Sequence, residues 1–63
     1  MKYKITSIKK RQEHHELAFA LIPLSLAIYE VGHCTFIIES TMSNENIYDA
    51  IGVGFGLVIT PME

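Results

Sequence analysis

Two pairs of neighbouring residues carry the side chains best suited to metal chemistry: His14 with His15, and His33 with Cys34. Imidazole nitrogens and thiolate sulfurs are ligands that zinc and related cations prefer. Adjacent side chains point in different directions on a helix or a strand, so each pair offers one ligand to a shared site. The pairs could meet at one cation only if the N-terminal turn folded over the central hairpin, which the spacing does not require. We therefore predict no metal site and no cofactor.

Catalysis has one candidate nucleophile, the thiol of Cys34. A nucleophile needs an adjacent base, but His33 would face the opposite side of a strand. The carboxylates are spread along the chain, without a pair whose placement can be argued. An enzyme also needs a concave pocket that excludes water, and a small core leaves little room for one. The sequence thus predicts no catalytic residue and a protein that is not an enzyme.

The composition is that of one small folded domain covering residues 1–63. Apolar residues make up 49% of the chain and charged residues 19%, which excludes disorder, since disordered chains combine low hydrophobicity with high net charge. A domain this short buries only about 60% of its unfolded surface. The single cysteine excludes a disulfide-bonded secreted scaffold and favours a reducing, cytoplasmic location in a bacterial or other host cell.

The charges are divided along the chain. All five basic residues lie in the first eleven positions, and all seven acidic residues follow them. This division fits a solvated strand end and turn, and the alternatives are a head-to-tail or domain-internal attraction, or an acidic partner that meets the N-terminal end. Nucleic-acid binding is an alternative, with Tyr3 as a surface for base stacking, although the carboxylates elsewhere would repel phosphate. The candidate contacts are Lys2, Lys4, Lys9, Lys10 and Arg11.

The first elements to position these residues are a strand and a helix. Residues 2–8 alternate and are flanked by charge, as an edge strand is. Residues 12–22 have high helix propensity, and Pro23 would end the helix. The apolar residues from Leu17 to Leu21 also alternate as they would in a strand, so a strand is the alternative for this segment.

A β-hairpin and a second helix are predicted next. Residues 24–31 indicate a strand, 30–33 a turn, and 34–39 the antiparallel partner. Ser43 is a suitable N-cap for a helix over 44–51, because its side-chain oxygen can accept a hydrogen bond from an amide of the first turn.

The last element is predicted to be a strand that begins at a glycine. Gly52 can take the left-handed conformation that ends a helix. Residues 52–59 then alternate between glycines and large apolar residues, which is a strand pattern. The glycine face of such a strand allows close approach by a neighbour, so we expect Gly54 to be packed against.

These elements give an α+β fold in the order strand, helix, strand, strand, helix, strand, which is the pattern of a split β-α-β unit. If residues 12–22 were extended, the fold would instead be a hairpin-rich β-sheet with one helix. No repeat, linker or low-complexity segment divides the chain.

The function expected from this composition is binding to other proteins. Both faces of any element between residues 17 and 31 are apolar, and a small domain seldom covers both, so we expect an isologous homodimer. The candidate interface residues are Phe19, Leu21, Leu26, Ile28 and Tyr29. We expect a non-enzymatic module that inhibits or modulates a larger protein, of the kind that phage or plasmid genes of the anti-defence or host-takeover type often encode.

A membrane-associated protein is the rival interpretation, with residues 17–38 as the anchor. The longest uncharged run covers thirteen residues, 17–29. A spanning helix needs about 17–25 residues. The run is therefore too short to cross a bilayer as a helix.

Overall fold

The computed structural model describes residues 1–9, 11 and 13–62. The first half forms strand β1 (Lys2–Ser7), helix α1 (His14–Leu21), a 3-10 turn (Ile22–Leu24), and strands β2 (Ala27–Gly32) and β3 (Thr35–Glu39). A second helical segment consists of α2 (Asn44–Ile47), a π-helical stretch (Tyr48–Gly52) and α3 (Val53–Phe55). Strand β4 (Leu57–Met62) comes last.

The four strands form one antiparallel sheet in the order β2-β3-β1-β4. In the middle of the sheet, Ile5 of β1 lies opposite Phe36 of β3 and Ile59 of β4. Each helical segment connects two strands that have a third strand between them, which is the split β-α-β topology. The α+β class and the order of elements predicted from the sequence are confirmed.

Helix α1 resolves the ambiguity of the segment before Pro23. Leu17 and Leu21 lie four residues apart, on the same side of a helix, and both are fully buried. Pro23 lies in the first turn of the 3-10 helix that follows, where its missing N–H costs no helical hydrogen bond. The hairpin-rich alternative is therefore not adopted. The predicted helix start at Gln12 lies outside the described residues.

The core lies between the helices and one face of the sheet. Its polar groups are paired, because the Tyr3 hydroxyl donates to the Met42 carbonyl at 2.8 Å and the Ser40 hydroxyl donates to the Leu24 carbonyl at 2.6 Å. An unpaired buried group would cost about 1–3 kcal/mol. The buried apolar residues are Tyr3, Ile5, Leu17, Leu21, Cys34, Phe36, Ile38, Ile47 and Leu57.

The other face of the sheet, here called the open face, carries the alternate residues of the same strands. Since successive side chains of a strand point to opposite faces, the buried Tyr3 and Ile5 place Lys2 and Lys4 on the open face, where both are exposed. The helices contribute their buried residues to the opposite side. The open face consists of Lys2, Lys4, Thr6, Ala27, Tyr29, Thr35, Ile37, Glu39, Val58, Thr60 and Met62.

The second helical segment begins as predicted and ends later. Ser43 is the N-cap, and its Oγ accepts a hydrogen bond from the Asn46 amide at 3.2 Å. The prediction that Gly52 ends the helix was wrong, because helical structure continues through Phe55. Gly56 is the C-cap, in the left-handed conformation with φ 61°. Strand β4 therefore begins at Leu57, and residues 52–56 are not extended.

The glycines near the end of this helix have different surroundings. A Cβ at Gly52 would lie 2.2 Å from Cδ1 of Tyr48, so the aromatic ring occupies the space that any other side chain would need. Gly52 is buried within the π-helical stretch. The prediction that Gly54 is packed against was wrong, since a Cβ there would meet nothing within 4 Å. The alternation that suggested a strand thus reflects one close approach at Gly52 and one C-cap at Gly56.

The hairpin between β2 and β3 is shifted from its predicted position. Leu24, where the strand was predicted to begin, belongs to the 3-10 turn. Strand β2 begins at Ala27 and continues through Gly32 with a register shift after Glu30. The turn is formed by His33 and Cys34 rather than by residues 30–33. Cys34 has φ 51°, a left-handed conformation that is uncommon for residues other than glycine.

Residues 17–38, the segment considered as a membrane anchor, are divided between α1, the 3-10 turn and the two strands of the hairpin. Among the described residues, none of the helices is both long enough and apolar enough to cross a membrane.

Candidate functional site

The five residues predicted for an interface are distributed over both layers of the fold. Phe19 is 70% exposed on α1, Leu26 is 71% exposed just before β2, and Tyr29 is 59% exposed on the open face. Ile28 is half-buried and packs against the core. Leu21 is fully buried, so it contributes to the core of the folded chain and not to a contact surface.

The open face combines apolar side chains with a few charges. One row of cross-strand neighbours contains Tyr29, Ile37, Lys4 and Thr60. Val58, from the adjoining row, is 48% exposed. Ile37 and Val58 were not among the predicted interface residues, although the alternation of β3 and β4 could have placed them on this face.

The charges of the open face lie on its two central strands, β1 and β3. Lys2 is directly opposite Glu39 in the pairing of β1 with β3, and Lys4 is next to them on the same face. Opposite charges at such positions attract, and each pair contributes roughly 0.2–1 kcal/mol. The open face therefore presents both signs of charge beside apolar side chains.

The predicted basic cluster is not gathered on one surface. Lys2 and Lys4 lie on the open face, whereas Lys9 Nζ donates to the Gly54 carbonyl at 2.6 Å, at the end of the second helical segment. Arg11 is exposed, and Lys10 lies outside the described residues. An acidic partner could meet the two lysines of the open face together.

The residue proposed for base stacking is not accessible. Tyr3 is 1% exposed, and its hydroxyl is bonded to the Met42 carbonyl. Nucleic-acid binding of the predicted kind would lack its stacking surface.

The two pairs of potential metal ligands do come together. His14, the first residue of α1, lies over the hairpin, where its Nδ1 accepts a hydrogen bond from the Cys34 amide at 2.8 Å. Its Nε2 is 2.5 Å from a carboxylate oxygen of Glu30. The His14 ring is stacked on His33 at a centroid distance of 5.6 Å and is 4.9 Å from the ring of Phe36.

His14, Glu30 and His33 line a groove of about 640 Å³, here called the histidine groove. Its formation depends on the docking of α1 on the hairpin, a contact between residues twenty positions apart. The N-terminal region therefore does fold over the hairpin, although the sequence spacing alone did not require it. The groove is lined by His14, His15, Glu30, Val31, Gly32 and His33.

The chemistry of Cys34 differs from that of a catalytic cysteine. Burial raises the pKa of the Cys34 thiol, and the negative charge of Glu13 raises the pKa further. The thiolate is the nucleophilic form, and reactive cysteines are accessible and have lowered pKa values. The environment of Cys34 thus keeps the thiol protonated in the absence of a ligand.

A second groove, of about 540 Å³, lies between the second helical segment and β4. Glu45, Tyr48 and Asp49 line it together with residues of β4. Its carboxylates have no neighbouring histidine or cysteine among the residues that line the groove.

Comparison with protein-family models, curated proteins and solved structures finds no match for this chain.

Proposed function

We propose that this chain is a small non-enzymatic protein-binding module that forms a homodimer through its open face and inhibits or modulates a larger protein. The observation that carries the proposal is the open face itself, where Tyr29 is 59% exposed beside Ile37 and no helix of the described residues packs over them. Contiguous exposed apolar residues on a small domain are typical of interaction sites.

A second copy of the chain fits this face because the face is complementary to itself. In a dimer with twofold symmetry, each contact between two different residues occurs twice, once in each direction across the interface. Lys4 of one copy can then meet Glu39 of the other, twice. The apolar residues of the open face would add buried area to a domain in which nine apolar residues are buried among those described.

A dimer formed in this way leaves the outer side of α1 accessible. Phe19 and Ile22 lie three residues apart and are 70% and 51% exposed. Residues with this spacing are neighbours on a helix. We propose that this helical surface contacts the larger target.

Sedimentation equilibrium at micromolar concentration tests the dimer. We expect a species of twice the 7.1 kDa chain mass. Tyr29→Asp should convert it to the monomer by placing a charge within the apolar part of the interface. The matched control is Phe19→Asp, which also replaces an exposed aromatic residue by aspartate, on α1, and should leave the dimer intact.

Two results would contradict the proposal: a wild-type monomer that remains folded, or a dimer that dissociates in Phe19→Asp and persists in Tyr29→Asp. A labelled single-stranded oligonucleotide titrated at low salt tests the nucleic-acid alternative. Tight binding that depends on Lys2 and Lys4 would favour that alternative, because phosphate contacts are salt-dependent and use such residues.

A further inference from the structure

We propose that His14, His33 and Cys34 bind a zinc-type divalent cation, with Glu30 as the hydrogen-bonding partner of the His14 ring. Each of the three residues offers one ligand atom, and these atoms lie within 4.8 Å of one another. A tetrahedral zinc site places its nitrogen and sulfur ligands about 3.5 Å apart, given the usual metal–ligand distances. Because His33 is exposed at the turn, rotation of its side chain can bring the ligands to that spacing.

The hydrogen bonds of His14 prepare its ring for a cation on the Cys34 side. Since Nδ1 accepts from the Cys34 amide, Nδ1 carries a lone pair that faces Cys34. The proton of the neutral ring is then on Nε2, which faces Glu30. Metal-binding histidines almost always donate their other N–H to a carboxylate or carbonyl, which fixes the tautomer and makes the ligand more basic. Glu30 supplies that partner here.

Binding exchanges a hydrogen bond and a proton for metal–ligand bonds. The cation coordinates His14 Nδ1 and replaces the hydrogen bond that this atom accepts from the Cys34 amide. It also converts the Cys34 thiol to a thiolate, with one proton released to solvent for each cation bound. A thiolate and two imidazoles form a ligand set that suits Zn²⁺ and Co²⁺ rather than Mg²⁺ or Ca²⁺, which prefer oxygen ligands. The fourth position is open to water.

Cobalt is the probe for this site, because a thiolate bound to Co²⁺ gives a charge-transfer absorption band. Chelator-treated, dialysed protein in a reducing buffer that does not bind metal is titrated with Co²⁺. We expect one Co²⁺ per chain, a thiolate charge-transfer band, intense visible bands typical of tetrahedral cobalt, and displacement of Co²⁺ by Zn²⁺. Calorimetry in two buffers of different ionisation enthalpy should show the release of one proton.

Four variants distinguish cobalt binding at the proposed site from nonspecific binding to surface side chains. Cys34→Ser should abolish the charge-transfer band, and His33→Ala should weaken Co²⁺ binding at least tenfold. Glu30→Gln should weaken binding about 10–100-fold while the charge-transfer band is retained. His15→Ala is the matched control, because His15 lines the same groove without belonging to the ligand set, and its affinity should stay within about twofold of the wild type.

Circular dichroism of each variant without metal confirms that it is folded. Because Cys34 is buried, His33→Ala at an exposed position provides a test that does not disturb the core. Absence of the charge-transfer band in folded wild-type protein would overturn the proposal. Equal weakening by His15→Ala and His33→Ala would also overturn it, since the imidazoles would then bind cobalt only as independent surface groups.

Discussion

At the scale of single residues, the two glycines of the second helical segment have opposite surroundings. Gly52 and Gly54 are both helical, but a Cβ would meet the Tyr48 ring at Gly52 and nothing at Gly54. Alanine should therefore destabilise the protein at Gly52, by about 1–3 kcal/mol through overpacking. At Gly54 alanine should stabilise it, by about 0.5–1 kcal/mol through the lower entropy of the unfolded chain.

Urea denaturation of the two variants measures both effects, and each variant is the control for the other. Because the substitution is identical and the positions are two residues apart, the difference between the two variants reports the local packing at each glycine. Equal changes in the free energy of unfolding would contradict the assigned packing of Tyr48 on Gly52.

At the scale of elements, the contact that matters most is the one that fixes the start of α1 to the hairpin. Within the described part of the chain no side chain caps α1 at Glu13, and His14 connects the helix to Cys34 and Glu30. His14→Ala removes the acceptor of the Cys34 amide and should destabilise the protein by about 1–3 kcal/mol. His15→Ala, at an exposed position, should change stability by less than about 0.5 kcal/mol.

Chemical denaturation with a chelator present checks this prediction without any contribution from bound metal. A similar stability for the two alanine variants would mean that α1 is held by Leu17 and Leu21 alone. The free energy of unfolding of each variant should be compared at neutral pH.

Local signals account for what the sequence predicted correctly about the elements. Pro23 limits the first helix and Ser43 begins the second, and both effects act within one helical turn. The helix end could not be predicted in the same way. The helix ends at Gly56 in the left-handed conformation, whereas the alternating glycines imitate a strand.

The histidine groove shows the other limit of sequence reasoning. His14 and Cys34 meet because α1 docks on the hairpin, and twenty positions separate them in the chain. Spacing can indicate ligands that share one helix or strand, but it carries no information about a contact made by docking. The burial of Leu21 among the candidate interface residues could not be predicted for the same reason, since the buried and exposed sides of α1 depend on how it packs.

For the molecule as a whole, the charges of the open face would determine how two copies associate in the proposed dimer. Among its residues Lys2 and Lys4 are positive and Glu39 is negative, so the face carries one net positive charge. The charges of two such faces attract each other only when a lysine of one copy lies next to the glutamate of the other. Glu39→Lys leaves three positive charges on each face and should weaken dimerisation by about tenfold or more, because like charges brought together across an interface repel.

Two further variants distinguish this contact from a general effect of charge. The double change of Lys4→Glu with Glu39→Lys restores the original net charge of the face and the possibility of opposite pairs, so dimerisation should return to within a few fold of the wild type. Glu45→Lys makes the same charge change on α2, where Glu45 is exposed and lies off the open face, and it should leave the dimer unaffected. Sedimentation equilibrium at low and high salt measures all three, and the defect of Glu39→Lys should shrink at high salt because screening weakens exposed charge interactions. Equal weakening by Glu39→Lys and Glu45→Lys would place the dimer contact elsewhere on the molecule.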